Sequence, residues 1–209
     1  MSFSRGKRSG GLLVSDVPAH ARFSAALRSG PDVSWLPRCR VGDDQGVENA
    51  CAIFALASWA EIMHGYEISD TQALEVYRAT LRELGRPDAG LTFAEAFVAA
   101  HKANWLPGAR ALEAVHDLSE LSHQPILAGY RVTGALDNPN AAGCLDHAAD
   151  DTTRGYHGMV IVAHGSLLRV PGGPFVYVEN SWQPWGWKGI GVMTEPLHRK
   201  LIRELWIVR

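Results

Sequence analysis

A long apolar segment constrains the fold of this chain most. Residues 50–59 are almost entirely apolar, which predicts a helix that is buried on nearly all sides. The residues before it, 42–49, are rich in Gly, Asp and Asn, a composition typical of turns. We therefore expect a central helix that begins directly after this loop, with Asn49 as its N-cap.

A cysteine lies where the loop meets this helix. Cys51 falls in the first turn, where backbone N–H groups and the helix dipole stabilise a thiolate. Gln45 precedes it by six residues, and its carboxamide can donate a hydrogen bond. Together with the Cys51 backbone N–H, this side chain predicts an oxyanion hole. The alternative is that Cys51 is simply a small buried residue, as most free cysteines are.

The length and charge of the chain exclude several classes of protein. With 209 residues, 46% of them apolar, it is long enough for one large domain or two packed lobes. The net charge of −2 and the short basic runs predict no nucleic-acid partner. No apolar stretch approaches the roughly 20 residues of a membrane span, and the N-terminus lacks the apolar core of a signal peptide. We expect a cytoplasmic protein without a membrane partner, and the sequence leaves its oligomeric state open.

The cysteines and histidines give no pattern of a metal site. Cys39, Cys51 and Cys144 cannot all pair within one chain, so reduced thiols are expected, although a Cys39–Cys144 bridge stays open. No Cys-x-x-Cys or His-x-x-x-His spacing is present, and we therefore predict no structural zinc site.

The chain divides into a helical half and a β half, which predicts a single domain of the α+β class with a cleft between two lobes. Residues 1–40 are expected to form an irregular N-terminal arm that Trp35 and Leu36 pin to the body. The helical lobe, 41–118, contains further helices at 72–84 and 92–103, and 134–155 is loop by composition. The β-rich lobe, 119–209, contains strands at 126–132, 159–163, 175–179, 190–194 and 205–208.

A nucleophilic cysteine needs a base and a group that orients the base. His147 has an acidic neighbour but lies in a loop, whereas His157 stands at the head of a predicted strand, where its position is well defined. Asn180 follows another strand, and its side-chain oxygen can accept the imidazole N–H. Trp182 can cover that hydrogen bond from water. His157 and Asn180 are therefore the predicted partners of Cys51.

In these residues the sequence resembles the papain-like cysteine peptidases. The Gln45-to-Cys51 spacing, the segment 157–159 and the segment 180–189, which begins Asn-Ser-Trp, are similar to the family's three motifs. The segments 178–182 and 193–195 are closer to intracellular bacterial and bleomycin-hydrolase members than to secreted ones.

The resemblance implies a papain-like fold and a role for each matched residue. Cys51 is expected to be the nucleophile, His157 the general base and then acid, and Asn180 the orienting group. Gln45 and the Cys51 amide are expected to form the oxyanion hole, and Trp182 to shield the Asn180–His157 bond and border the substrate. No metal or organic cofactor is implied.

The chain departs from the family beside the nucleophile, where the usual segment reads Cys-Gly-(Ser/Ala)-Cys-(Trp/Tyr). Glu48 stands in place of a disulfide cysteine, which agrees with a cytoplasmic location. Asn49 stands in place of a glycine that contacts substrate, so we expect an altered S1 region that includes Asn49. Ala52 replaces the aromatic residue. No inhibitory propeptide fits before Gln45, so control by zymogen cleavage is not expected.

The predicted function is hydrolysis of a peptide or protein substrate through a Cys-His-Asn triad and a thioester acyl-enzyme. Two alternatives stay open. If the same site accepts an amine instead of water, the protein is a transpeptidase or an amide-forming acyltransferase. A site that has lost activity, as the changes at Asn49 and Ala52 allow, is a papain-like binding module.

Overall fold

The computed structural model describes residues 33–40, 43–87, 89–137, 139–140, 143–145, 151–165 and 174–209. The predicted arm before residue 33, the start of the loop before Cys51 and the rival base His147 lie outside the described residues. In the described part of the chain, no helix has the length and apolar character needed to cross a bilayer.

The central helix α1 spans Cys51–His64, and residues 51–62 are all buried, as the apolar sequence predicts. Its predicted start is wrong by one residue. Ala50, not Asn49, is the N-cap, and its carbonyl accepts the first helical hydrogen bonds, from the N–H groups of Ile53 and Phe54. Ala50 has no side chain that can cap, so burial of the loop end sets the start of the helix. Cys51 still lies in the first turn.

Two further helices pack against α1 and begin at the capping signals in the sequence. Helix α2 spans Asp70–Leu84 and α3 spans Phe93–Lys102. Each begins with a capping box, in which a Ser or Thr at the N-cap and a Gln or Glu three residues later bond each other's backbone. Helix α2 ends at Gly85, whose φ of 63° is the left-handed conformation that glycine adopts without strain.

The β half forms one antiparallel sheet of seven strands, ordered β2-β7-β3-β4-β5-β6, with β1 paired to β4. Strand β4 is the longest and pairs with three others, so it organises the sheet. The strands are β1 (Val33–Ser34), β2 (Leu112–Val115), β3 (Ile126–Arg131), β4 (Tyr156–Gly165), β5 (Phe175–Glu179), β6 (Ile190–Thr194) and β7 (Ile202–Val208).

Four strands and α-helices of the structure are not in the sequence prediction. Strand β1 lies in the arm that is predicted to be irregular, and its pairing with β4 holds it. Strand β2 is half exposed and is held by its pairing with β7. Short helix α4 (Gly134–Asp137) lies in the predicted loop, and helix α5 (Glu195–Leu201) follows β6. Helix α5 did have a signal, because Thr194 is a side-chain N-cap and a proline follows in the first turn. The predicted strands at 175–179 and 190–194 are confirmed at both ends.

The two faces of the sheet are buried in different cores. Leu127, Val160 and Val162 pack with α1, α2 and α3 in one core. Their neighbours Ala128 and Ile161 point the opposite way, into a second core that includes α4 and α5 residues. Because successive side chains of a strand point to opposite faces of the sheet, β3 and β4 are buried on both faces. The predicted separation into lobes at residue 118 stays a prediction.

Carboxyl groups are buried where α1 meets the end of β5. Glu61 of α1 accepts a hydrogen bond from the Ile68 N–H at 2.6 Å, and Glu179 ends β5. Burial raises the pKa of Glu61 to about 7 and that of Asp43 to about 6, and neighbouring carboxylates add to both shifts. Burial, followed by the charges of Asp43 and Glu61, raises the pKa of Glu179 well above its ordinary value.

These raised pKa values predict a contribution to stability that is present in mild acid and lost in mild base. Between pH 4.5, the ordinary pKa of Glu61, and about 7, the folded protein keeps a proton that the unfolded chain releases. The contribution of Glu61 to the free energy of unfolding therefore falls as the pH rises through this window, whereas the buried His198, whose pKa burial lowers to about 3, contributes in the opposite direction. For Glu61→Gln, which keeps the oxygen that Ile68 contacts, we expect this fall to shrink by on the order of 1 kcal/mol after allowance for solvent screening.

Urea unfolding at pH 5 and pH 8 measures this difference. Glu75→Gln, at an exposed position on α2, is the matched control. Its free energy of unfolding should change between pH 5 and pH 8 by the same amount as that of the unchanged protein. If the free energy of unfolding changed equally between pH 5 and pH 8 in Glu61→Gln and in the unchanged protein, the raised pKa of Glu61 would be contradicted.

Candidate active site

The first turn of α1 lies directly against strand β4. Gly158 of β4 contacts the backbone of Cys51: a Cβ at Gly158 would lie 3.3 Å from both the carbonyl carbon and the carbonyl oxygen of Cys51. It would also lie 3.2 Å from the ring of Phe93. The strand segment that begins with His157 therefore packs on the helical turn that carries the cysteine, and only glycine fits between them without displacement.

His157 is held by Asn180, as the sequence predicts. The ring Nε2 lies 2.6 Å from the Asn180 Oδ1, and both residues are buried. Because an amide oxygen only accepts hydrogen bonds, Nε2 donates in this pair, and Nδ1 is then the basic nitrogen of the ring. Asn180 thus selects the tautomer in which Nδ1 can accept a proton.

Trp182 covers the histidine. Its ring stacks on the His157 imidazole, with ring centroids 4.0 Å apart and planes 28° apart. The tryptophan is itself buried, so the face of the imidazole that it covers is closed to water. The shielding geometry that the sequence predicts is present. A part for Trp182 in binding substrate stays a prediction.

Gln45 is fixed by two hydrogen bonds of its side chain. Its Oε1 accepts from the Ser181 hydroxyl at 2.7 Å, and its Nε2 donates to the Glu48 carbonyl at 2.6 Å. A carboxamide nitrogen has two hydrogens, so one remains for an oxyanion. Gln45 is buried and its backbone N–H also donates to the Ser181 carbonyl, at 3.0 Å.

Ser181 is the site residue that sequence reasoning missed. Its hydroxyl and carbonyl both bond Gln45, and in this way the turn that carries Asn180 is tied to the loop that precedes Cys51. The signal in the sequence that could indicate its role is its position between Asn180 and Trp182. That position does not indicate that the serine connects two distant segments.

Glu48 anchors the same loop to the helical half. Its carboxylate forms a bidentate ion pair with Arg78 of α2, in which Arg78 Nε lies 3.1 and 3.2 Å from the two oxygens. The resemblance implies a disulfide cysteine at this position. An ion pair thus connects the loop to α2 where a covalent link is expected in relatives. Asn49 is half-buried, and its part in substrate binding stays a prediction.

The cysteines form no disulfide, and the described residues contain no cluster of metal ligands. Cys39, Cys51 and Cys144 are all free thiols, so the Cys39–Cys144 bridge that the sequence left open is not formed. Within the described ranges, no three His, Cys, Asp or Glu side chains are placed to hold a metal ion.

The fold is similar to that of solved cysteine proteases. No family model matches the sequence, and no curated protein matches it closely enough to show a relationship. Xylellain, a cysteine protease from Xylella fastidiosa, matches with a TM-score of 0.68 and 18% identity over 100% of this chain and 99% of its own. The proform of the ragweed pollen cysteine protease Amb a 11 matches with a TM-score of 0.62 and 18% identity, over 96% of this chain and 70% of its own. Digestive procathepsin L 3 of Tenebrio molitor larval midgut matches with a TM-score of 0.61 and 15% identity, over 96% of this chain and 76% of its own. The predicted papain-like α+β fold is confirmed.

Proposed function

We propose that this protein is a cysteine peptidase that hydrolyses peptide bonds through Cys51, His157 and Asn180. The observation that carries the proposal is the 2.6 Å contact between His157 Nε2 and Asn180 Oδ1 on a strand that packs against the Cys51 backbone. The similarity in fold to three proteins that are themselves cysteine proteases supports it.

The first half of the reaction forms a thioester. The Cys51 thiol gives its proton to His157 Nδ1, and the thiolate attacks the carbonyl carbon of the peptide bond. Negative charge moves to the carbonyl oxygen, where the Cys51 N–H and the second N–H of the Gln45 amide bind it. The C–N bond then breaks, and His157 returns the proton to the departing amine.

The second half releases the acid. Water gives a proton to His157 and attacks the thioester carbon, the C–S bond breaks, and the proton returns to the cysteine sulfur. Asn180 keeps the ring in one orientation throughout, and Trp182 keeps water from competing for the Asn180 oxygen. An amine that replaces water in this half would form a new amide, so product analysis with an added amine separates a peptidase from an acyltransferase.

We place the protein in a reducing compartment, the cytoplasm. The support is that all three cysteines are free thiols and that an ion pair of Glu48 stands where relatives are expected to have a disulfide. The resemblance to intracellular bacterial and bleomycin-hydrolase members belongs to the same proposal. The substrate on this account is a peptide or an unfolded protein segment.

Selective alkylation tests the nucleophile. Cys51 is buried whereas Cys39 and Cys144 are partly exposed, so exposure alone ranks Cys51 as the slowest to react. The pKa of the Cys39 thiol is also raised, first by burial and then by Glu179, which slows that competitor. At pH 7 we expect a peptidyl epoxide to modify Cys51 at least about tenfold faster than the other two thiols, since only a thiolate reacts readily.

Peptide mapping by mass spectrometry measures the three rates. In His157→Ala the advantage of Cys51 should disappear while the rates at Cys39 and Cys144 stay unchanged. A Cys51 that reacts no faster than its two competitors in the unchanged protein would contradict the proposed nucleophile.

Removal of the Ser181 hydroxyl tests the tether. In Ser181→Ala the Gln45 Oε1 loses its partner, and the amide is then held only by its hydrogen bond to the Glu48 carbonyl, so its orientation toward the oxyanion is less well fixed. We expect kcat to fall about tenfold with little change in KM, because the hydrogen bond to the oxyanion is strongest in the transition state. Ser181→Thr, which keeps the hydroxyl, should restore most of the rate.

Ser58→Ala is the matched control, because it removes another hydroxyl, one that donates to Asp43 at 3.3 Å and lies two turns along α1 from Cys51. Its kcat should stay within about twofold of the unchanged protein. Equal losses of kcat in Ser58→Ala and Ser181→Ala would show that the tether has only a structural role.

A further inference from the structure

A cavity of about 690 Å³ opens beside the loop that precedes Cys51. Its wall on the loop side is Glu48, and its other walls come from α2 and the turn that follows α2. The side chains that define it are Glu48, Tyr77, Arg78, Leu81, Arg82 and Arg86, and we refer to it as the arginine cavity.

The arginine cavity is connected to the catalytic machinery through Glu48. The Glu48 carbonyl accepts the hydrogen bond that fixes the Gln45 amide. Glu48 precedes Cys51 by three positions, and an extended chain spans at most about 3.5 Å per residue, so their Cα atoms lie within about 11 Å of each other. A substrate in extended conformation advances about 3.3 Å per residue, so three or four of its residues span a comparable distance.

Three arginines face this space, and two of them are matched by carboxylates. Arg78 pairs with Glu48, and Arg86 pairs with Glu95 of α3. No carboxylate among the described residues pairs with Arg82, which is exposed at the last turn of α2. The lining is therefore positively charged overall, with Arg82 as the cation that has no ionic partner in the described part of the chain.

The base of the cavity is apolar. Tyr77 and Leu81 line the cavity and are buried, and the Tyr77 hydroxyl donates to the Ala89 carbonyl at 2.9 Å. An apolar base below a guanidinium suits a ligand with methylene groups that end in a carboxylate. Arginine binds carboxylates through two parallel hydrogen bonds, a geometry that a lysine does not provide.

We propose that the arginine cavity is a specificity subsite that binds a carboxylate of the peptide substrate, with Arg82 as the residue that recognises it. The inference rests on the proposed peptidase function. It assigns the protein a preference for acidic peptides, whose carboxylate comes either from a Glu or Asp side chain or from the free C-terminus. The competing interpretation is that Arg82 only complements the negative end of the α2 dipole.

Matched peptides that differ in one charge test the subsite. Each series has Glu or the isosteric Gln at one of four positions on either side of the scissile bond, and a second arm compares a free C-terminus with its amide. The unchanged protein should cleave the best Glu peptide, or the free acid, about 5- to 10-fold more efficiently in kcat/KM than its neutral match. The arm that shows the effect identifies the source of the carboxylate.

Arg82→Gln should abolish this preference, so that the Glu peptide and its neutral match are cleaved with equal kcat/KM. Arg82→Glu should reverse it in favour of a Lys peptide. Arg203→Gln is the control, because it removes an exposed arginine of β7 remote from the cavity. A preference that survives in Arg82→Gln, or its absence at every position in the unchanged protein, would overturn the subsite and leave Arg82 a helix-end residue.

Binding to Cys51→Ala separates this proposal from the peptidase proposal. The dissociation constants of the same fluorescent Glu and Gln peptides should differ about 5- to 10-fold in Cys51→Ala, and should be equal in Cys51→Ala combined with Arg82→Gln. If the unchanged protein cleaves no peptide but the binding difference is present, the peptidase proposal fails and the subsite stands. Equal binding of both peptides to Cys51→Ala refutes the subsite.

Discussion

The contact between the first turn of α1 and strand β4 determines where every other part of the site lies. At Gly158 the strand approaches the Cys51 carbonyl so closely that even a methyl group would crowd it. A side chain at this position would require Cys51 or the Phe93 ring to shift by a few tenths of an ångström. Because the histidine precedes this glycine and the cysteine begins the helix, one backbone contact sets the separation of the two reactive groups.

Hydrogen bonds and an ion pair extend this contact into a rigid frame. Asn180 fixes the imidazole, Ser181 ties the Asn180 turn to Gln45, and Glu48 connects the Gln45 loop to α2 through Arg78. The three segments come from distant parts of the sequence. In the proposed mechanism this frame holds the Gln45 amide in place before substrate arrives, which is the arrangement that favours catalysis.

The sequence predicted those parts of the structure whose signals are local. The uninterrupted apolar run after residue 50 predicted the buried helix, the capping residues predicted α2 and α3, and two strands were predicted at both ends. Motif order predicted the contact of His157 with Asn180. What was missed depends on tertiary contacts: β2 exists because β7 pairs with it, and Ser181 matters because a loop 136 residues away lies beside it. The buried carboxyl groups near Glu61 were likewise invisible, because nothing local indicates that α1 and β5 bring their acids together.

In the proposed mechanism Cys51 forms a covalent bond with substrate during turnover, and trapping of that bond is the decisive test. Reaction with a peptide substrate is stopped in acid after milliseconds to seconds, and the protein is analysed by intact mass spectrometry and peptide mapping. We expect a mass increase equal to the acyl part of the substrate, located on Cys51 and absent from Cys51→Ala, which should have no turnover although it folds. Turnover by Cys51→Ala at the rate of the unchanged protein, with no acyl adduct on Cys51, would contradict it.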